Sequence, residues 1–472
     1  MKIISSYKVK IKHYSNIFKG TVAVYNKAVS FFVDVCEKEW GNMEALSGKV
    51  RNNFVESITI STNRHPNPKY DFGARFYKMP SYLRRAAIQE AIGAYSSYVG
   101  NRKNWEDGGR KGGAPKLNHA RNTMPTLYKG NCYVRTGRTT AKIKIFHRND
   151  WVWLEVELRE KDVKYIERHC MLCKELVPTL HKSGRQWHLV FPFEEKAELS
   201  KKPAGEAVAC AVDLGINNNA TCAIVLSDGT VAARKFINLA AEKDRLHKSL
   251  NRVRKAQQNG SRKTPVKWKH VNDTNAEISR KTAGAIMGFA LAHGADVVVF
   301  EHLDMRGKKR GSKKQRLALW RKKEIQRMVG HSAHRCGMRI SRVCAWNTSR
   351  LAFDGSGPAE RGKYVVGGEE RFAQKRKAAF GHRVCLRKRR LCAKNMRKRG
   401  NNYSICVFPS GKVYHCDLNA SYNIGARYHI REILKSDPAM GRLPGEAKAL
   451  RYGTGTTRTL STLIRLNADL AA

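Results

Sequence analysis

The sequence predicts a multidomain protein of the α/β and β classes: an N-terminal β-barrel with a helical insertion, then an α/β domain with a basic insertion. Strand patterns occur at the very start of the chain and again between residues 125 and 196, with helical patterns between them. The stretch KKPAGEA, at 201–207, is typical of a linker. Beyond it, continuously apolar runs alternate with long helical segments, the pattern of buried strands connected by helices.

The N-terminal elements follow from residue spacing. SYKVKIKHY alternates apolar and basic residues and indicates an edge strand. Apolar residues at helical spacing follow, and from Gly108 a loop broken by Gly and Pro, GGRKGGAPKL, leads into further strand patterns. We therefore expect residues 1–18 and 108–200 to form the β-barrel and residues 19–107 to be the helical insertion.

The C-terminal domain is predicted over residues 201–346 and 411–430. AVACAVD and CAIVL predict a hairpin buried on both faces. Basic helical segments follow over 241–285, and an apolar helix then ends at His293-Gly294 before the strand VVVFE. A helix holding Trp320 and the strand pattern MRISRVC complete this part.

The two remaining segments have weaker patterns. Residues 347–410 are irregular and strongly basic, as in RKRRLCAKNMRKRG, and form the predicted insertion. Residues 431–472 indicate a helical C-terminal tail.

Charge points to the class of partner. The chain has 472 residues, with 90 Lys plus Arg against 39 Asp plus Glu and a formal net charge of +51. The cations are spread through every region between apolar segments, which favours folded surfaces facing nucleic acid over a single basic tail. The 42% hydrophobic content is sufficient for real cores.

Other function classes are disfavoured. No apolar stretch approaches the length of a membrane span, and the N-terminus lacks the apolar core of a signal peptide, so we expect no membrane association and a cytoplasmic protein. The 12 cysteines are then thiols or metal ligands. The sequence has neither GxxxxGK[ST] nor HExxH, which argues against ATP-driven and zinc-hydrolase chemistry.

Three acids occupy positions where a buried charge would be costly. Asp213 lies in the first strand of the hairpin, Glu301 ends the strand VVVFE, and Asp417 begins a helix in HCDLNAS. If these elements pack together, the carboxylates repel one another and require a cation. A hard divalent ion such as Mg²⁺ takes oxygen ligands, and two such ions promote phosphodiester hydrolysis. A single acid of this kind could instead be a helix cap or a salt-bridge partner.

These stretches resemble a known family. VDLGINNNATCAIVLSDGTV, VVVFEHLD and CDLNASYNIGAR are similar to the three split motifs of the RuvC-like nuclease domain, an RNase H fold, of TnpB proteins and the related compact type V CRISPR effectors. GGAPKL, the Trp320 helix and NTSR at 347–350 lie in the expected order. The resemblance extends over nearly the whole chain and is strongest over 205–350 and 411–427.

The resemblance implies an RNA-guided, Mg²⁺-dependent DNA endonuclease. Its OB-like N-terminal barrel, or wedge domain, and the helical recognition insertion would hold a guide RNA and read a short motif beside a double-stranded DNA target. The split RuvC-like domain would cut DNA with two Mg²⁺ ions held by Asp213, Glu301 and Asp417 as catalytic and metal-binding residues. The resemblance places the protein in the cytoplasm of a prokaryotic or phage-infected cell and leaves open a homodimer and either CRISPR or transposon origin.

One feature departs from the family pattern. The family's two CxxC pairs, which bind Zn²⁺, correspond here to TSRLAFDG and VFPSG, with Val407 and Ser410 at cysteine positions. The spacings of Cys385, Cys392, Cys406 and Cys416 suit a zinc site poorly. We therefore expect no zinc knuckle, with a rewired zinc site as the less favoured alternative. The lone pair Cys170 and Cys173 is interpreted as thiols.

Two alternative functions remain. The altered knuckle is compatible with an RNA-guided DNA-binding protein that silences its targets with little or no cleavage. Retention of all three acids argues against it, because a protein that does not cut has no chemical reason to keep mutually repelling carboxylates. An unguided resolvase or transposase of RNase H fold is less favoured, because it would not need the large basic N-terminal half.

Overall fold

The computed structural model contains two compact units, Lys2–Lys196 and Ala197–Ala472, with Met1 grouped with the second. Each is described by itself. The structure describes residues 1–13, 16–63, 65–110, 112–119, 122–203, 205–261, 263–302, 315, 319–361, 404–436, 449 and 451–471.

The described part of the N-terminal unit contains seven strands and four helices. Its strands are β1 (Lys2–Lys10), β2 (Tyr133–Arg135), β3 (Thr140–His147), β4 (Asp150–Glu157), β5 (Lys174–Glu175), β6 (Thr179–Ser183) and β7 (Gln186–Lys196). Its helices are α1 (Ile17–Met43), α2 (Gly48–Thr59), α3 (Ser81–Asp107) and α4 (Glu160–Cys170).

Two antiparallel sheets replace the predicted barrel. β1 pairs along its whole length with β7, which also pairs with β5 and β6, whereas β2, β3 and β4 form a second sheet. A single bridge between Ile11 and Leu158 joins the continuation of β1 to that of β4. The strand pairs among the described residues form two separate sheets and do not close into a barrel. The predicted pairing of the first strand with the later ones is therefore confirmed, while a closed barrel is not observed.

The helical segment packs on these sheets through one apolar stripe. Residues of α1 at alternating spacings of three and four are all buried, as helical periodicity predicts. They are Phe18, Val22, Tyr25, Val29, Phe32 and Cys36. This stripe belongs to the same core as the inward residues of β3 and β7.

The C-terminal unit is an α/β layer structure. Its strands are β8 (Ala209–Asp213), β9 (Ala220–Val225), β10 (Val231–Ile237), β11 (Val297–His302), β12 (Arg339–Cys344), β13 (Glu360–Arg361), β14 (Ile405–Val407) and β15 (Val413–His415). Its helices are α5 (Ala240–Gln258), α6 (Pro265–Ala292), α7 (Lys322–Arg335), α8 (Cys416–Ser436) and α9 (Leu460–Ala471).

The central sheet has the strand order β10-β9-β8-β11-β12. β8 and β9 form the predicted antiparallel hairpin, and β8 is parallel to β11, which is parallel to β12. Alternate residues of β8 and β11 enter two different cores. Ala209 and Val299 pack in the core that contains α8, whereas Cys210 and Phe300 pack in the core that contains α6 and α7.

The structure corrects two details of the C-terminal prediction. Trp320 itself is not helical; it lies between Leu319, which is helical, and the start of α7 at Lys322. In the segment predicted as a tail, α9 packs Leu460, Leu463 and Leu466 into the core against α8. Most of the predicted basic insertion, 362–403, lies outside the described residues.

No helix in the described part of the chain combines the length and the apolar content needed to cross a bilayer.

Candidate active site

Asp213 and Glu301 lie at the carboxyl ends of neighbouring parallel strands. β8 and β11 pair from Ala209 opposite Val297 to Val212 opposite Phe300. Continuing this register by one residue places Asp213 beside Glu301. Because side chains alternate between the faces of a sheet, both carboxyl groups lie on the face that carries Ala209, Ala211, Val297 and Val299, the face covered by α8.

Asp417 reaches the same face from the first turn of α8. Cys416 is the first residue of that helix and is buried, and Asp417 follows it at half-buried exposure. A carboxylate at this position also interacts favourably with the helix dipole. Each of the three predicted acids therefore lies where a regular element ends or begins beside one end of the sheet.

The electrostatics of Asp213 show that the acids interact. Burial raises the pKa of the Asp213 carboxyl well above its ordinary value, and the negative charges of Glu301 and Asp417 raise this pKa further. The guanidinium of Arg361 acts in the opposite direction. Asp213 as a whole residue is half-buried. The structure thus brings the three carboxyl groups into one electrostatic cluster.

Glu301 is the most enclosed of the three acids, at 8% exposure. Burial raises the pKa of its carboxyl, whereas a hydrogen bond from Thr348 and the charges of Arg427 and Lys322 lower this pKa and offset part of the effect. The Thr348 hydroxyl donates to Glu301 Oε1, and the Gln326 amide donates to the Glu301 backbone carbonyl at 3.2 Å. The orientation of Glu301 is therefore fixed at both its side chain and its backbone.

Asp417 has its own polar partners. Asn218 Nδ2 donates to Asp417 Oδ2 at 2.9 Å, and the Asp417 backbone N–H donates to His415 Nδ1 at 3.2 Å. Asp213 is the last residue of β8, and Asn218 lies in the loop that connects β8 to β9. The hairpin that supplies one acid thus also orients another.

The three acids interact electrostatically, yet their oxygens do not form one close set. Among the described residues, the only set of three potential ligand side chains with ligand atoms all within 4.8 Å of one another is Asp34, Glu37 and His119. Its three residues are exposed and lie in the N-terminal unit, and His119 Nδ1 lies 3.0 Å from Asp34 Oδ1. The oxygens of Asp213, Glu301 and Asp417 are consequently separated by more than 4.8 Å in at least one pair.

A polar stripe on α8 fixes the loop that holds Thr348. The stripe consists of Asn419, Asn423 and Arg427, spaced by four residues and therefore on one side of the helix. Asn423 Nδ2 donates at 2.9 Å to the carbonyls of Thr348 and Leu351. Asn419 bonds the following residues of the loop, through the Leu351 carbonyl and the Phe353 N–H, both at 2.8 Å.

Arg427, the last residue of this stripe, donates hydrogen bonds to four backbone carbonyls. Its guanidinium donates to the carbonyls of Cys344, Trp346, Thr456 and Arg458. Burial lowers the pKa of Arg427 to about 10, and the nearby Glu301 charge raises this pKa. The helix that delivers Asp417 therefore also secures the loop that orients Glu301.

Arg361 supplies a cation at the exposed rim of the cluster. It is exposed, and its Nη2 donates to the Ser349 carbonyl at 2.9 Å. Its charge lowers the pKa of Asp213. A guanidinium beside carboxylates is well suited to contact the phosphate of a nucleic acid.

The positions that align with the family's zinc cysteines have different contacts here. Ser410 Oγ donates to Asp354 Oδ2 at 2.7 Å. Beside this bond, aromatic rings pack edge to face, with Phe353 at 5.4 Å from Phe408 and 5.0 Å from Tyr414. Side-chain packing and one hydrogen bond thus join the two parts of the chain that a knuckle would join.

The remaining cysteine predictions have mixed outcomes. Cys406 and Cys416 are both buried, and Cys406 Sγ donates to the Tyr414 carbonyl at 3.4 Å. Cys170 ends α4 and Cys173 follows it by three residues; neither forms a disulfide among the described residues, and their interpretation as thiols stays a prediction. Cys385 and Cys392 lie outside the described residues. Whether the chain binds zinc therefore stays a prediction.

Sequence reasoning identified the acids but missed the side chains that hold them. NTSR was noted as a motif, yet nothing in its pattern showed that Thr348 bonds Glu301. Asn218 is one of three consecutive asparagines, and spacing does not distinguish it from its neighbours. The spacing of Asn419, Asn423 and Arg427 was the one available signal, because residues four apart on a helix share a side.

Comparison with known proteins assigns the chain to a family through its N-terminal part. A model of the Aq_aa04 family matches residues 5–147. The chain is also 33% identical over 121 residues to a protein named "Uncharacterized protein aq_aa04" from Aquifex aeolicus (strain VF5), an alignment that covers 23% of this chain and 68% of that protein. The chain belongs to the Aq_aa04 family. The Aq_aa04 family match lies within the unit Lys2–Lys196, whereas the acid cluster lies in the other unit.

This Aq_aa04 family member is also similar to solved structures of Cas12 proteins. A Cas12f1-sgRNA-target DNA complex is 12% identical with a TM-score of 0.32, covering 90% of this chain and 99% of that chain. A Cas12i1 R-loop complex after target DNA cleavage is 9% identical with a TM-score of 0.43, covering 87% and 69%. C2c1 of Alicyclobacillus acidoterrestris with single-guide RNA is 10% identical with a TM-score of 0.40, covering 87% and 69%.

Proposed function

We propose that this chain is an RNA-guided DNA endonuclease that hydrolyses phosphodiester bonds by a metal-dependent, RuvC-like mechanism. The observation that carries the proposal is the electrostatic cluster of Asp213, Glu301 and Asp417 at one end of the central sheet. The negative charges of Glu301 and Asp417 raise the pKa of the buried Asp213 carboxyl, and this repulsion destabilises the fold, so a function must favour retention of the three acids.

The donor set fits a hard divalent cation. The cluster offers carboxylate oxygens, which are the ligands that Mg²⁺ takes in proteins, and Asp213 and Asp417 are only half-buried as whole residues. When bound, one or two Mg²⁺ ions would activate water for attack on phosphorus and stabilise the leaving oxygen. Asp213, Glu301 and Asp417 would hold the metal through their carboxylate oxygens.

The surrounding residues have separate tasks in this mechanism. Thr348 holds Glu301, and Asn218 holds Asp417, so that two ligands are oriented before the substrate arrives. Arg361 lies beside the acids with an exposed guanidinium that can bind the phosphate flanking the scissile bond. Binding the backbone and holding the ligands are thus performed by different side chains.

Guidance by RNA is supported by the motif resemblance and by the charge distribution. A net charge of +51 spread over both units suits a protein that grips nucleic-acid backbones. In RNA-guided enzymes, base pairing supplies the sequence specificity, and the protein contacts are largely to backbone. The proposed partners are therefore a guide RNA and a double-stranded DNA target.

The test compares single variants of the acids in the purified RNA–protein complex. Asp213→Ala, Glu301→Ala and Asp417→Ala should each abolish DNA cutting while leaving binding of RNA and target nearly unchanged. Asp273→Ala is the matched control, because Asp273 is an exposed acid of α6 paired with Lys269 at 2.7 Å. This variant should cut at the wild-type rate.

Each result has a definite meaning. Cutting retained in one acid variant would remove that residue from the site. Target binding without cutting by the wild type would favour the alternative function, an RNA-guided DNA-binding protein that silences its targets.

A further inference from the structure

Trp346 is the most exposed tryptophan of the chain. All eight tryptophans are described, and two are exposed, Trp346 over 70% of its surface and Trp153 over 42%. Trp153 has the ammonium of Lys144 over its ring at 5.4 Å. The Trp346 ring has neither an aromatic nor a cationic partner among the described residues. Leaving so large an apolar ring in water is unfavourable unless something covers it.

The backbone beneath Trp346 is held rigidly. Arg427 Nη1 donates to the Trp346 carbonyl at 2.8 Å and to the Cys344 carbonyl at 2.7 Å. The next residue, Asn347, has a φ of 63°, a left-handed conformation that costs energy for a side-chain-bearing residue. Two turn hydrogen bonds, from the N–H groups of Arg350 and Leu351 to the Asn347 carbonyl, maintain it. The ring is therefore presented by a fixed turn and not by a loose loop.

The same turn belongs to the acid cluster. β12 pairs in parallel with β11, with Glu301 opposite Val343 and His302 opposite Cys344. Trp346 follows the end of β12 by two residues, and Thr348, two residues later, donates its hydroxyl to Glu301. One short segment thus combines an exposed aromatic ring with the group that orients a proposed metal ligand.

The charges around the turn match a nucleic-acid strand. Arg342, Arg350 and Arg361 are all exposed and lie before, within and after this segment. A single strand that passes an active site presents phosphates to cations and unpaired bases to flat rings. Aromatic side chains and arginines are the features that bind such strands without sequence preference.

We propose that Trp346 is a stacking platform for an unpaired nucleobase of the DNA strand at the acid cluster. The inference rests on the proposed function, since that function supplies the strand. Stacking on a rigid ring fixes the nucleotide beside the reacting phosphate at little entropic cost. The exposed guanidinium groups of the turn bind its phosphates.

The test uses the full chain with its co-purified RNA and the Asp213→Asn substitution, which prevents cutting. Short single-stranded oligo(dT) probes carry one 2-aminopurine, whose fluorescence is quenched on stacking, at successive positions. We expect Trp346→Ala to abolish the quenching at one probe position and to weaken binding about 5- to 100-fold. Trp346→Phe, which keeps a flat ring, should retain most of both, and Trp153→Ala should match the parent protein.

An abasic probe separates stacking from general weakening. When the base at the quenched position is removed, Trp346→Ala should no longer weaken binding. The proposal is overturned if Trp346→Ala binds like its parent, if Trp346→Phe loses as much as Trp346→Ala, or if the abasic probe leaves the difference intact. Because these readouts measure binding, they remain valid even if the wild-type complex proves unable to cut DNA.

Discussion

At the scale of single residues, Glu301 shows how a buried carboxylate is stabilised by a hydroxyl, with no ion pair at its oxygens among the described residues. Its oxygen accepts the Thr348 hydroxyl, and more distant cations, Arg427 and Lys322, lower its pKa. Thr348 itself is buried at 2% exposure and is held through its carbonyl by Asn423. In the proposed mechanism this hydroxyl positions a metal ligand.

Two substitutions of Thr348 distinguish the contribution of its hydroxyl from that of its side-chain volume. Thr348→Val keeps the volume and removes the donor, so it should lower cleavage or the affinity for Mg²⁺ by about 10- to 100-fold, as loss of a group supporting a metal ligand typically does. Thr348→Ser keeps the donor and should remain within a few-fold of wild type. The measurement is cleavage rate against Mg²⁺ concentration. A shift of equal size in both variants, or in neither, would contradict the positioning role.

The raised pKa of Asp213 predicts a pH-dependent stability. Because the folded state holds this proton more tightly than the unfolded state, stability is lost as pH rises from the ordinary value of 3.8 through the raised folded-state pKa. Above that window the ionised carboxylate destabilises the fold. Glu301 acts in the same direction from its ordinary value of 4.5.

Asp213→Asn removes this cost. In the absence of divalent cations at pH 7, the free energy of unfolding should rise by about 1–3 kcal/mol, and the gain should diminish towards pH 4. Added Mg²⁺ should stabilise the wild type and not Asp213→Asn. Denaturant melts at several pH values measure both effects. A variant less stable than wild type at pH 7 would show that Asp213 is a structural residue.

The sequence predicts the three acids as site residues but does not predict the side chains that hydrogen-bond to them, for a physical reason. Asp213 and Glu301 end apolar runs, so the cost of burying charge identifies them without a structure. Hydrogen bonds from Asn218 and Thr348 depend on the tertiary approach of separate loops. No local spacing encodes that approach.

At the scale of elements, α8 organises the site because it lies unusually close to the sheet. A Cβ added at Gly425 would come within 2.5 Å of Val225 Cγ2 on β9. The absence of a side chain at Gly425 therefore permits the contact distance that places Asp417 beside Asp213.

Gly425→Ala should destabilise the C-terminal unit by about 1–3 kcal/mol, because overpacking must push α8 from the sheet. Gly284→Ala is the matched control, since Gly284 lies in α6 with nothing within 4 Å of an added Cβ. There alanine should stabilise by about 0.5–1 kcal/mol through its helix propensity. Thermal melts of the two variants measure these effects. Similar shifts in both would mean that α8 tolerates the added group.

The β13-β14-β15 sheet predicts a low zinc content. The Asp354–Ser410 bond and the Phe353, Phe408 and Tyr414 rings supply cohesion at the positions where the motif resemblance would place zinc-binding cysteines. Purified protein should contain well below one zinc per chain by elemental analysis, and a chelator should not lower its melting temperature. One zinc per chain, lost together with thermal stability on chelation, would instead establish the rewired site.

Elements were predictable where their pattern was long or fully apolar. The β8–β9 hairpin, β11 and the helices α1 and α6 follow directly from periodicity. The packing of α9 was not predictable, because Leu460, Leu463 and Leu466 form a stripe of only two turns whose partner, α8, is remote in sequence. Alternation of apolar and polar residues indicates strands but leaves their pairing order open, so the sequence does not distinguish one barrel from the two sheets of the N-terminal unit.

At the scale of the whole molecule, the net positive charge attracts the phosphates of nucleic acid, whereas the acid cluster repels them. A chain with a net charge of +51 attracts nucleic acid wherever its surface is exposed. The three acids form a local region of negative charge within it, and a phosphate can approach that region only when cations neutralise it. This opposition favours a function in which metal binding and strand binding occur together.

The central claim is best tested by guide-directed cleavage. The protein is purified from cells that express its native locus, the co-purified RNA is sequenced, and the complex is incubated with Mg²⁺ and a library of DNA targets that match the RNA beside random flanking sequence. We predict cuts only in matching targets, lost in Asp213→Ala and lost when Mg²⁺ is replaced by EDTA. Cutting that ignores the RNA sequence, or that persists in Asp213→Ala, would contradict an RNA-guided nuclease built on these three acids.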